Sequence, residues 1–416
     1  MKLAIVGTGV AGLYCAHLLD EAHEVTLFEA DPRPGGHVNT VEFEHAGERH
    51  AIDTGFIVHN DRNYPLLTSL FRELGVATQP SEMSFSVSDQ RSGLEYKPSN
   101  LNSLFAQRRN IARPAFYSLI SDIVRFNRAG RRLVAQPDDD GSQSLEQFIA
   151  QLGLSRAFRD HFLVPFGASV WSADPSSFLQ FPARSYLRFM DNHGLLGLTG
   201  HPQWRTITGG SQRYVDALLA RFSGQLRCST PVERLSRLDN GRVDVAFSGG
   251  REEFDGVIVA AHADQALSLL AEPTPSEREL LGAIRFQPNR ATLHTDDRLL
   301  PREHRARAAW NYFVPTESSG RATLSYSMNR LQAIDSEHQF IVTLNSDERI
   351  DPERVIASFD YSHPVYDGPS VAARARIAEL QGTGNIYYAG AYWEDGFHED
   401  GARSAAQVAA RLMERP

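Results

Sequence analysis

The fold is decided near the start of the chain by Leu3–Gly12, Leu-Ala-Ile-Val-Gly-Thr-Gly-Val-Ala-Gly. Its first four residues form a short apolar run that is typical of a buried parallel strand. The glycines Gly7, Gly9 and Gly12 follow at once, and apolar residues then recur at helical spacing. Glu24–Glu29, Glu-Val-Thr-Leu-Phe-Glu, predicts a second strand that ends in an acid. This order of strand, glycine turn, helix, strand and carboxylate is typical of a dinucleotide-binding α/β unit.

Each residue type in the glycine turn has a physical role. Gly7 allows the tight turn, Gly9 lets a pyrophosphate approach the backbone, and Gly12 lets the helix pack on the strand. Val10 and Ala11 open the helix, whose N-terminus then faces the phosphates. We expect all five residues to bind the cofactor.

Glu29 is placed to accept hydrogen bonds from the hydroxyls of an adenosine ribose, whereas its charge would repel a 2′-phosphate. FAD or NAD therefore fits better than NADP. The chain continues through Ala30 into a second glycine pair, which an NAD-binding unit does not need.

Length and composition narrow the class of protein. A chain of 416 residues is long enough for two domains, and 42% hydrophobic with 22% charged residues is typical of a globular protein. The net charge of −9 argues against a nucleic-acid partner. Cys15 and Cys228 lack metal-ligand spacing, so we expect neither a metal site nor a disulfide framework. Without a signal peptide or a long uncharged apolar stretch, we expect a cytoplasmic protein.

The stretch Glu29–His37, Glu-Ala-Asp-Pro-Arg-Pro-Gly-Gly-His, resembles the flavin-containing amine oxidase superfamily, which includes phytoene desaturases and protoporphyrinogen oxidases. The resemblance implies an FAD cofactor, with Arg33, Gly35 and Gly36 along its diphosphate. The family usually has an arginine after the glycine pair. Here His37 stands in that position, and we expect it at the cofactor as well.

Further segments resemble the superfamily's cofactor site although they are far apart in the sequence. The resemblance implies that Asp53–Ile57 lies beside the isoalloxazine edge and that the backbone of one valine meets adenine. It also implies that the N-terminus of the last helix points at the pyrimidine end of the flavin, where negative charge develops on reduction. The matching residues are Thr54, Gly55, Phe56, Val232, Ala260, Gly390, Gly401, Ala402 and Ser404.

The same resemblance implies an α/β fold, in which a Rossmann-like FAD-binding domain of the amine-oxidase type carries an inserted α+β substrate domain. Ser144 and Gln147 predict a helix start in the mostly helical first part of the insertion, and strands are expected in its second part. The expected boundaries are 1–65, 200–269 and 380–416 for the FAD-binding domain, and 66–199 and 270–379 for the substrate-binding domain.

The segment 108–133 combines an apolar stripe with seven arginines. Two interpretations stay open: a solvated helix over the core, or a surface that contacts anionic lipid headgroups at the inner membrane face. The arginines are Arg108, Arg109, Arg113, Arg125, Arg128, Arg131 and Arg132.

The flavin itself accepts the hydride, so few catalytic side chains are expected. His398, just before the last helix, is the candidate for a general base or a group that tunes the flavin, and a loop histidine with a hydrogen-bonding role is the alternative. Amine oxidases of the superfamily commonly keep a lysine near flavin N5. Lys2 and Lys97, the only lysines, cannot match that position, which disfavours an amine substrate.

Asp53–Asn60, Pro202–Thr206 and Gly396–Gly401 together resemble a bacterial branch of the superfamily that is often encoded near cyclopropane-fatty-acid-synthase-like methyltransferases. This resemblance implies an oxidoreductase that desaturates a methylated, unsaturated fatty acyl chain, with an apolar small molecule or lipid as its partner. An amine or carotenoid oxidase of the same superfamily is one alternative. A non-catalytic flavoprotein or binding module is another, and the oligomeric state stays open.

Overall fold

The structure, a computed structural model, describes residues 1–45, 47–136, 143–197, 200–316 and 321–414. Within these ranges, a parallel sheet contains the glycine-rich start of the chain. Its strands, in spatial order, are β10 (Gln225–Arg227), β2 (Glu24–Phe28), β1 (Lys2–Val6), β14 (Gly256–Val259) and β20 (Ile386–Tyr388). All neighbouring pairs run parallel, so the carboxyl ends of the strands share one edge.

Strand β1 divides its side chains between two cores because successive residues point to opposite faces. Leu3 and Ile5 pack with the helices of one face, whereas Ala4 and Val6 pack with an antiparallel sheet on the other. The helices of the first face are α1 (Val10–Leu19), α2 (Pro65–Leu74), α10 (Gln212–Leu219) and α15 (His398–Met413). The second face carries β11 (Val232–Arg237), β12 (Val243–Phe247), β13 (Gly250–Phe254), α11 (Ala263–Leu269) and α12 (Pro275–Gly282).

A larger mixed sheet forms the other half of the described chain. In spatial order its strands are β19 (Val355–Pro364), β15 (Phe286–His294), β18 (Ile341–Leu344), β17 (Leu324–Ser327), β16 (Trp310–Val314), β7 (Phe85–Asp89) and β8 (Leu94–Tyr96). The helices of this half are α3 (Leu101–Leu104), α4 (Pro114–Val134), α5 (Leu145–Gln151), α6 (Arg156–Phe158), α7 (Val164–Trp171), α8 (Pro175–Phe178), α9 (Ala183–Asn192) and α13 (Met328–Leu331). Helix α14 (Gly368–Arg374) packs on α12 instead, and its Ala373 lies in the core of the second face of the parallel sheet.

Short ribbons join the two halves. A hairpin of β3 (Thr40–His45) and β4 (Glu48–Asp53) leads away from the cofactor edge and back to it. A second ribbon contains β5 (His59–Asn60), β9 (Trp204–Ile207) and β6 (Thr78–Pro80). A π-helical turn lies at Arg159–Leu163. Short 3-10 helical turns lie at Arg108–Ala112, Asp297–Leu299, His304–Ala306, Asp347–Arg349, Pro352–Arg354, Ile377–Glu379 and Ala391–Trp393.

The expected α/β architecture, a parallel sheet with a second half that combines helices and a mixed sheet, is confirmed. The predicted helix start is also present, because Ser144 accepts from the N–H of Gln147 and the Gln147 side chain accepts from the N–H of Ser144. The mostly helical segment nevertheless adds β7 and β8 to the mixed sheet, since the buried Phe85 and Val87 pair with β16. The domain boundaries stay a prediction. Within the described ranges, no helix is long and apolar enough to cross a membrane.

Candidate cofactor and active site

Two glycine-rich loops lie against each other at the carboxyl edge of the parallel sheet. Gly7 adopts a φ of +101°, and a Cβ added there would lie 2.8 Å from the carbonyl oxygen of Ala260. A Cβ on Gly12 would overlap the carbonyl oxygen of Gly7. A Cβ on Gly36, in the second loop, would lie 3.1 Å from the Cα of Gly9. Backbone packs on backbone here, and only glycine permits it.

Gly9 differs from Gly7, Gly12 and Gly36 because its Cβ direction is open. An added Cβ would meet nothing within 4 Å. Among the described residues, no side chain caps α1 at Gly9, and the first turn, Val10 to Gly12, carries no acid. The first backbone N–H groups of a helix lack intrahelical partners and carry the positive end of its dipole. This turn therefore has the features that bind a diphosphate.

The Glu29 carboxylate lies beside the first glycine loop. Its Oε2 accepts hydrogen bonds from the backbone N–H of Thr8 at 3.0 Å and from the Thr8 hydroxyl. The N–H of Thr230 donates to the carbonyl of Glu29 at 2.8 Å, which brings the segment leading to Val232 alongside Ala30. The residues expected at the adenosine end thus lie together.

Arg33 ties the second glycine loop in place. Its Nη1 donates to the carbonyl of Val38 at 2.7 Å, and its Nη2 donates to the carbonyl of Gly36 at 2.9 Å. The N–H of Gly35 donates to the carbonyl of Thr8 at 3.1 Å and joins the two loops. A guanidinium has five N–H donors, so further donors remain for a phosphate.

The expected flavin-edge segment is joined to His37. The N–H of Phe56 donates to the carbonyl of His37 at 2.9 Å, and a Cβ on Gly55 would overlap the same oxygen. The His37 ring stacks on the ring of Tyr361 with a centroid distance of 4.9 Å. The hydroxyl of Thr54 lies 2.8 Å from the Tyr361 hydroxyl.

The last helix begins against the first helix. A Cβ on Gly401 would lie 2.6 Å from Cγ1 of Val10, so the two helix starts approach closely. The hydroxyl of Ser404 accepts from the N–H of Gly390 at 3.1 Å and ties α15 to the turn after β20. Ala402 is fully buried beside it.

His398 is the first residue of α15, and its ring stacks on Phe56. Burial lowers the pKa of His398 to about 3, so the imidazole is neutral at physiological pH. Among the described residues, its buried Nε2 has no hydrogen-bond partner, and the same holds for Nε2 of His37. The role expected for His398 stays a prediction.

The residues at this edge fit FAD. The open side of Gly9 and the uncapped turn suit a diphosphate, and the two unpartnered imidazole nitrogens suit polar atoms of a ring system. Glu29 offers acceptors for ribose hydroxyls. In the described ranges, no group of three or more His, Cys, Asp or Glu residues is placed to hold a metal ion. Partly accessible residues along the edge are Gly7, Gly9, Val10, Gly36, His37, Gly55, Ala260, His262, His363 and His398.

Asp53 serves the fold around this edge. Its Oδ1 accepts from the hydroxyl of Thr40 at 2.6 Å, and from the N–H and hydroxyl of Ser211 at 2.8 and 2.7 Å. Its Oδ2 accepts from Nε2 of Gln332 at 3.0 Å. Burial raises the pKa of Asp53 to about 6. The Asp53 carboxylate thus connects the β3–β4 hairpin, the start of α10 and the half of the molecule that contains the mixed sheet.

Glu399 and Asp400 both lie in the first turn of the last helix, and they cap different helices. Asp400 accepts from the N–H of Phe397 at 2.9 Å. Glu399 instead accepts from the N–H groups of Leu66 and Leu67 at 2.9 and 3.1 Å. It therefore caps α2, which packs beside the last helix.

An aromatic wall, formed by Trp171, Phe189 and Phe397, adjoins His398. The rings of Phe397 and Phe189 stack at 5.1 Å, and the Trp171 ring lies 4.7 Å from Phe189. Nε1 of Trp171 donates to the carbonyl of Asp395 at 2.9 Å. A neighbouring polar cleft of about 80 Å³ has room for a few water molecules only.

Sequence reasoning missed the residues that β15 and β19 bring to this edge. Tyr361 and His363 contact His37, and Asn289 contacts His363. The available signal was the alternation of Phe359, Tyr361 and His363, which predicts one face of a strand. Nothing in that alternation says which segment the face contacts.

Comparison with known proteins identifies related chains. The family model described as flavin containing amine oxidoreductase matches residues 10–351. A flavin-dependent L-tryptophan oxidase from Lentzea aerocolonigenes is 27% identical over 272 residues, which cover 64% of this chain and 52% of that protein. An L-amino-acid oxidase from Mus musculus is 24% identical over 303 residues, which cover 68% of this chain and 45% of that protein. The chain thus spans about half the length of these curated relatives.

Solved structures share the fold over the whole chain. A fatty acid isomerase from P. acnes that produces CLA superimposes with a TM-score of 0.70. The superposition covers 99% of this chain and 98% of that one at 17% sequence identity. A likeness at this identity establishes the fold alone.

Proposed function

Since this chain belongs to the family of flavin-containing amine oxidoreductases, we propose that it desaturates a methylated, unsaturated fatty acyl chain of a lipid. Family membership confirms the expected class, a flavin-dependent oxidoreductase with FAD as its cofactor. The single observation that carries the acyl substrate is the aromatic wall beside His398. The division into an FAD-binding and a substrate-binding domain is part of this proposal.

The aromatic wall suits a hydrocarbon chain. Phe397 packs against both the core around the first helix and the core of the mostly helical region, so it stands where the two meet. Each methylene removed from water on such a surface contributes about 0.8 kcal/mol. Charged groups near the wall are engaged, since Asp395 pairs with Arg374 at 3.0 Å and Glu394 pairs with Arg403.

The two lysines support a substrate other than an amine. Lys2 begins β1, at the opposite end of the strand from Gly7, and pairs with Glu252 at 2.6 Å. Lys97 pairs with Glu82 at 3.7 Å. Neither lies among the residues of the candidate site.

When bound, FAD supplies a two-electron oxidant that accepts a hydride at N5. In this proposal the glycine loops, Arg33 and the start of α1 hold its diphosphate, and Glu29 holds its ribose. Thr54 to Phe56 and the start of α15 orient its ring. The aromatic wall excludes water and places the acyl chain, so the protein contributes position and desolvation.

An amine or carotenoid oxidase is the second candidate function. The relatives named as L-tryptophan oxidase and L-amino-acid oxidase favour an amine. A non-catalytic flavoprotein is the candidate from a different class. It would bind FAD at the same edge and oxidise none of these substrates.

The exposed apolar residues around α4 support access from a lipid surface. Among the described residues, half of the exposed large hydrophobic side chains lie in one segment: Leu101, Ile111, Tyr117 and Val124. Seven arginines accompany them, and of these only Arg125 pairs with an acid in the described ranges, at 2.9 Å from Asp122. We call these four apolar residues and the seven arginines the α4 surface. Such a surface suits anionic headgroups.

Anaerobic mixing of the yellow holoprotein with phospholipid vesicles tests the proposed function. Vesicles that carry methylated, monounsaturated acyl chains should bleach the flavin, and mass spectrometry should find a product lighter by two hydrogens. The matched control is the same phospholipid with saturated, unmethylated chains. Bleaching by amines or polyenes alone would support the second candidate, and flavin that photoreduces but resists every substrate would support the non-catalytic one.

A further inference from the structure

A line of polar side chains joins the mixed sheet to the candidate site, and it begins at Asn345. This residue follows β18 directly. Its Oδ1 accepts from the N–H of Arg290 at 3.1 Å, and its Nδ2 donates to the carbonyl of Ala322 at 3.1 Å. One partner can only donate and the other can only accept, so the backbone fixes the orientation of this amide.

Asn289 is the next residue of this line, and the Asn345 amide fixes the orientation of its side chain. Nδ2 of Asn345 also donates to Oδ1 of Asn289 at 2.7 Å. The NH2 group of Asn289 therefore faces away from Asn345, and it lies 2.9 Å from Nδ1 of His363. Asn289 is 2% exposed, so it has no room to turn toward solvent.

The tautomer of His363 follows from these contacts. An amide NH2 has no lone pair to offer, so Nδ1 of His363 must be the acceptor. In a neutral imidazole the proton is then on Nε2. Burial lowers the pKa of His363 to about 4, so the ring is neutral at physiological pH. Two backbone groups of the mixed sheet thus determine which nitrogen of His363 is a donor.

His363 lies where the mixed sheet contacts the cofactor edge. Tyr361 and His363 lie on the same face of β19, because every second side chain of a strand points to the same face. The His363 ring lies 5.4 Å from the ring of His37, and Tyr361 stacks on His37 from the same strand. His363 remains partly accessible at this depth, whereas Asn289 does not. Among the described residues, Nδ1 is the ring nitrogen of His363 that has a hydrogen-bond partner, so Nε2 is available to a ligand.

We propose that His363 donates a hydrogen bond from Nε2–H to the flavin bound at this edge, and that Asn289 and Asn345 are positioning residues that hold it in that tautomer. A flavin ring presents oxygen and nitrogen acceptors along its edge, and a neutral donor can serve them without burying a charge. Such a donor stabilises the negative charge that develops on reduction, which raises the midpoint potential of the flavin. The inference rests on the proposed FAD site but does not require an acyl substrate.

A matched pair of variants tests the proposal. Glutamine places an amide NH2 near the position of Nε2, whereas asparagine reaches only the position of Nδ1. His363→Gln should keep the wild-type midpoint potential and FAD affinity. His363→Asn should shift the potential to more negative values and weaken FAD binding about tenfold, the scale of one lost hydrogen bond. Wild-type potential and affinity in His363→Asn would overturn the proposal.

A spectroscopic measurement covers the case in which a variant fails to fold. Long-range proton–nitrogen NMR of the wild-type holoprotein with labelled histidine distinguishes the two tautomers, and His363→Gln assigns the signal. We expect Nε2 protonated and Nδ1 bare. Protonation of Nδ1 would overturn the proposal.

Asn289→Leu adds the positioning test. It removes the group that holds Nδ1, so the His363 signal should shift toward a mixture of tautomers. An unchanged signal would show that Asn289 does not position the ring. Lipid that fails to bleach the flavin would contradict only the proposed substrate, and the potentials and tautomers would still decide the role of His363.

Discussion

The ring of His398 lies nearly parallel to the ring of Phe56, with centroids 3.8 Å apart and 12° between the planes. His398 begins the last helix, and Phe56 belongs to the segment expected at the flavin edge. The contact therefore joins the C-terminal part of the fold to the N-terminal part at the point where the ring of the cofactor is expected. Close packing places both residues, at Gly401 against the side chain of Val10 and at Gly55 against the carbonyl oxygen of His37.

His398 should remain neutral throughout the working pH range. Burial lowers its pKa to about 3, so it does not change charge between about pH 6 and 9. We expect His398→Gln to leave the pH dependence of kcat/KM unchanged in shape, even if kcat falls. Loss of a limb of the wild-type profile in His398→Gln would mean that His398 titrates during turnover.

Substitutions at Gly9 and at Gly12 should have different effects, the first on FAD binding and the second on the stability of the fold. Gly9→Ala adds a methyl group in open space, so the apoprotein should unfold at the wild-type temperature while FAD binding weakens by about tenfold or more. Gly12→Ala places its Cβ on a carbonyl oxygen and should lower the melting temperature of the apoprotein. Differential scanning fluorimetry and FAD titration measure the two effects. Wild-type affinity in Gly9→Ala would place the diphosphate elsewhere.

Asp53→Ala should destabilise the fold. It leaves the donors of Thr40, Ser211 and Gln332 without their acceptor, at a cost of roughly 2–4 kcal/mol. Urea denaturation measures the loss, and Asp61→Ala, at an exposed carboxylate, is the matched control. Equal effects of the two substitutions would contradict the structural role of Asp53.

The destabilisation should also depend on pH. The folded-state pKa of Asp53, about 6, lies above the ordinary value of 3.8, so the stability gained from its bound proton is present at acid pH and is lost as pH rises through 6. The difference between wild type and Asp53→Ala should therefore shrink from acid to neutral pH. A difference that grows over this range would contradict the raised pKa.

The α4 surface should hold the protein on anionic vesicles. We expect Leu101→Ser combined with Ile111→Ser to weaken binding about tenfold, because two exposed apolar side chains no longer enter the lipid interface. Vesicle sedimentation measures binding. Leu226→Ser combined with Met413→Ser is the control, because these apolar residues are exposed elsewhere. Equal binding to neutral and anionic vesicles would refute the proposed surface.

The sequence predicted the parts of the site that follow local backbone rules. Gly7, Gly9 and Gly12 predicted a tight glycine turn, and the structure has that turn. Gly36 belongs to a second loop that packs on the first. Gly7, Gly12 and Gly36 are predictable because a close backbone approach leaves glycine as the only residue that fits, whereas Gly9 keeps its open side free for a ligand.

The parts that could not be predicted depend on contacts between distant segments. Glu399 caps a helix that begins at Pro65, and no local pattern connects the two. Asn289 and His363 meet because β15 and β19 are neighbours in one register. Alternation identifies a strand and its faces, but the neighbour of each face is set by tertiary packing.

The central claim is that distant ends of the chain fold together around one FAD, and a titration tests it most directly. Apoprotein should quench the fluorescence of added FAD at a stoichiometry of one per chain, and the quenching should weaken in Gly9→Ala and in Gly401→Val. The second variant pushes the start of α15 away from Val10. A folded apoprotein that takes up no FAD, or that binds it equally well in both variants, would contradict the account.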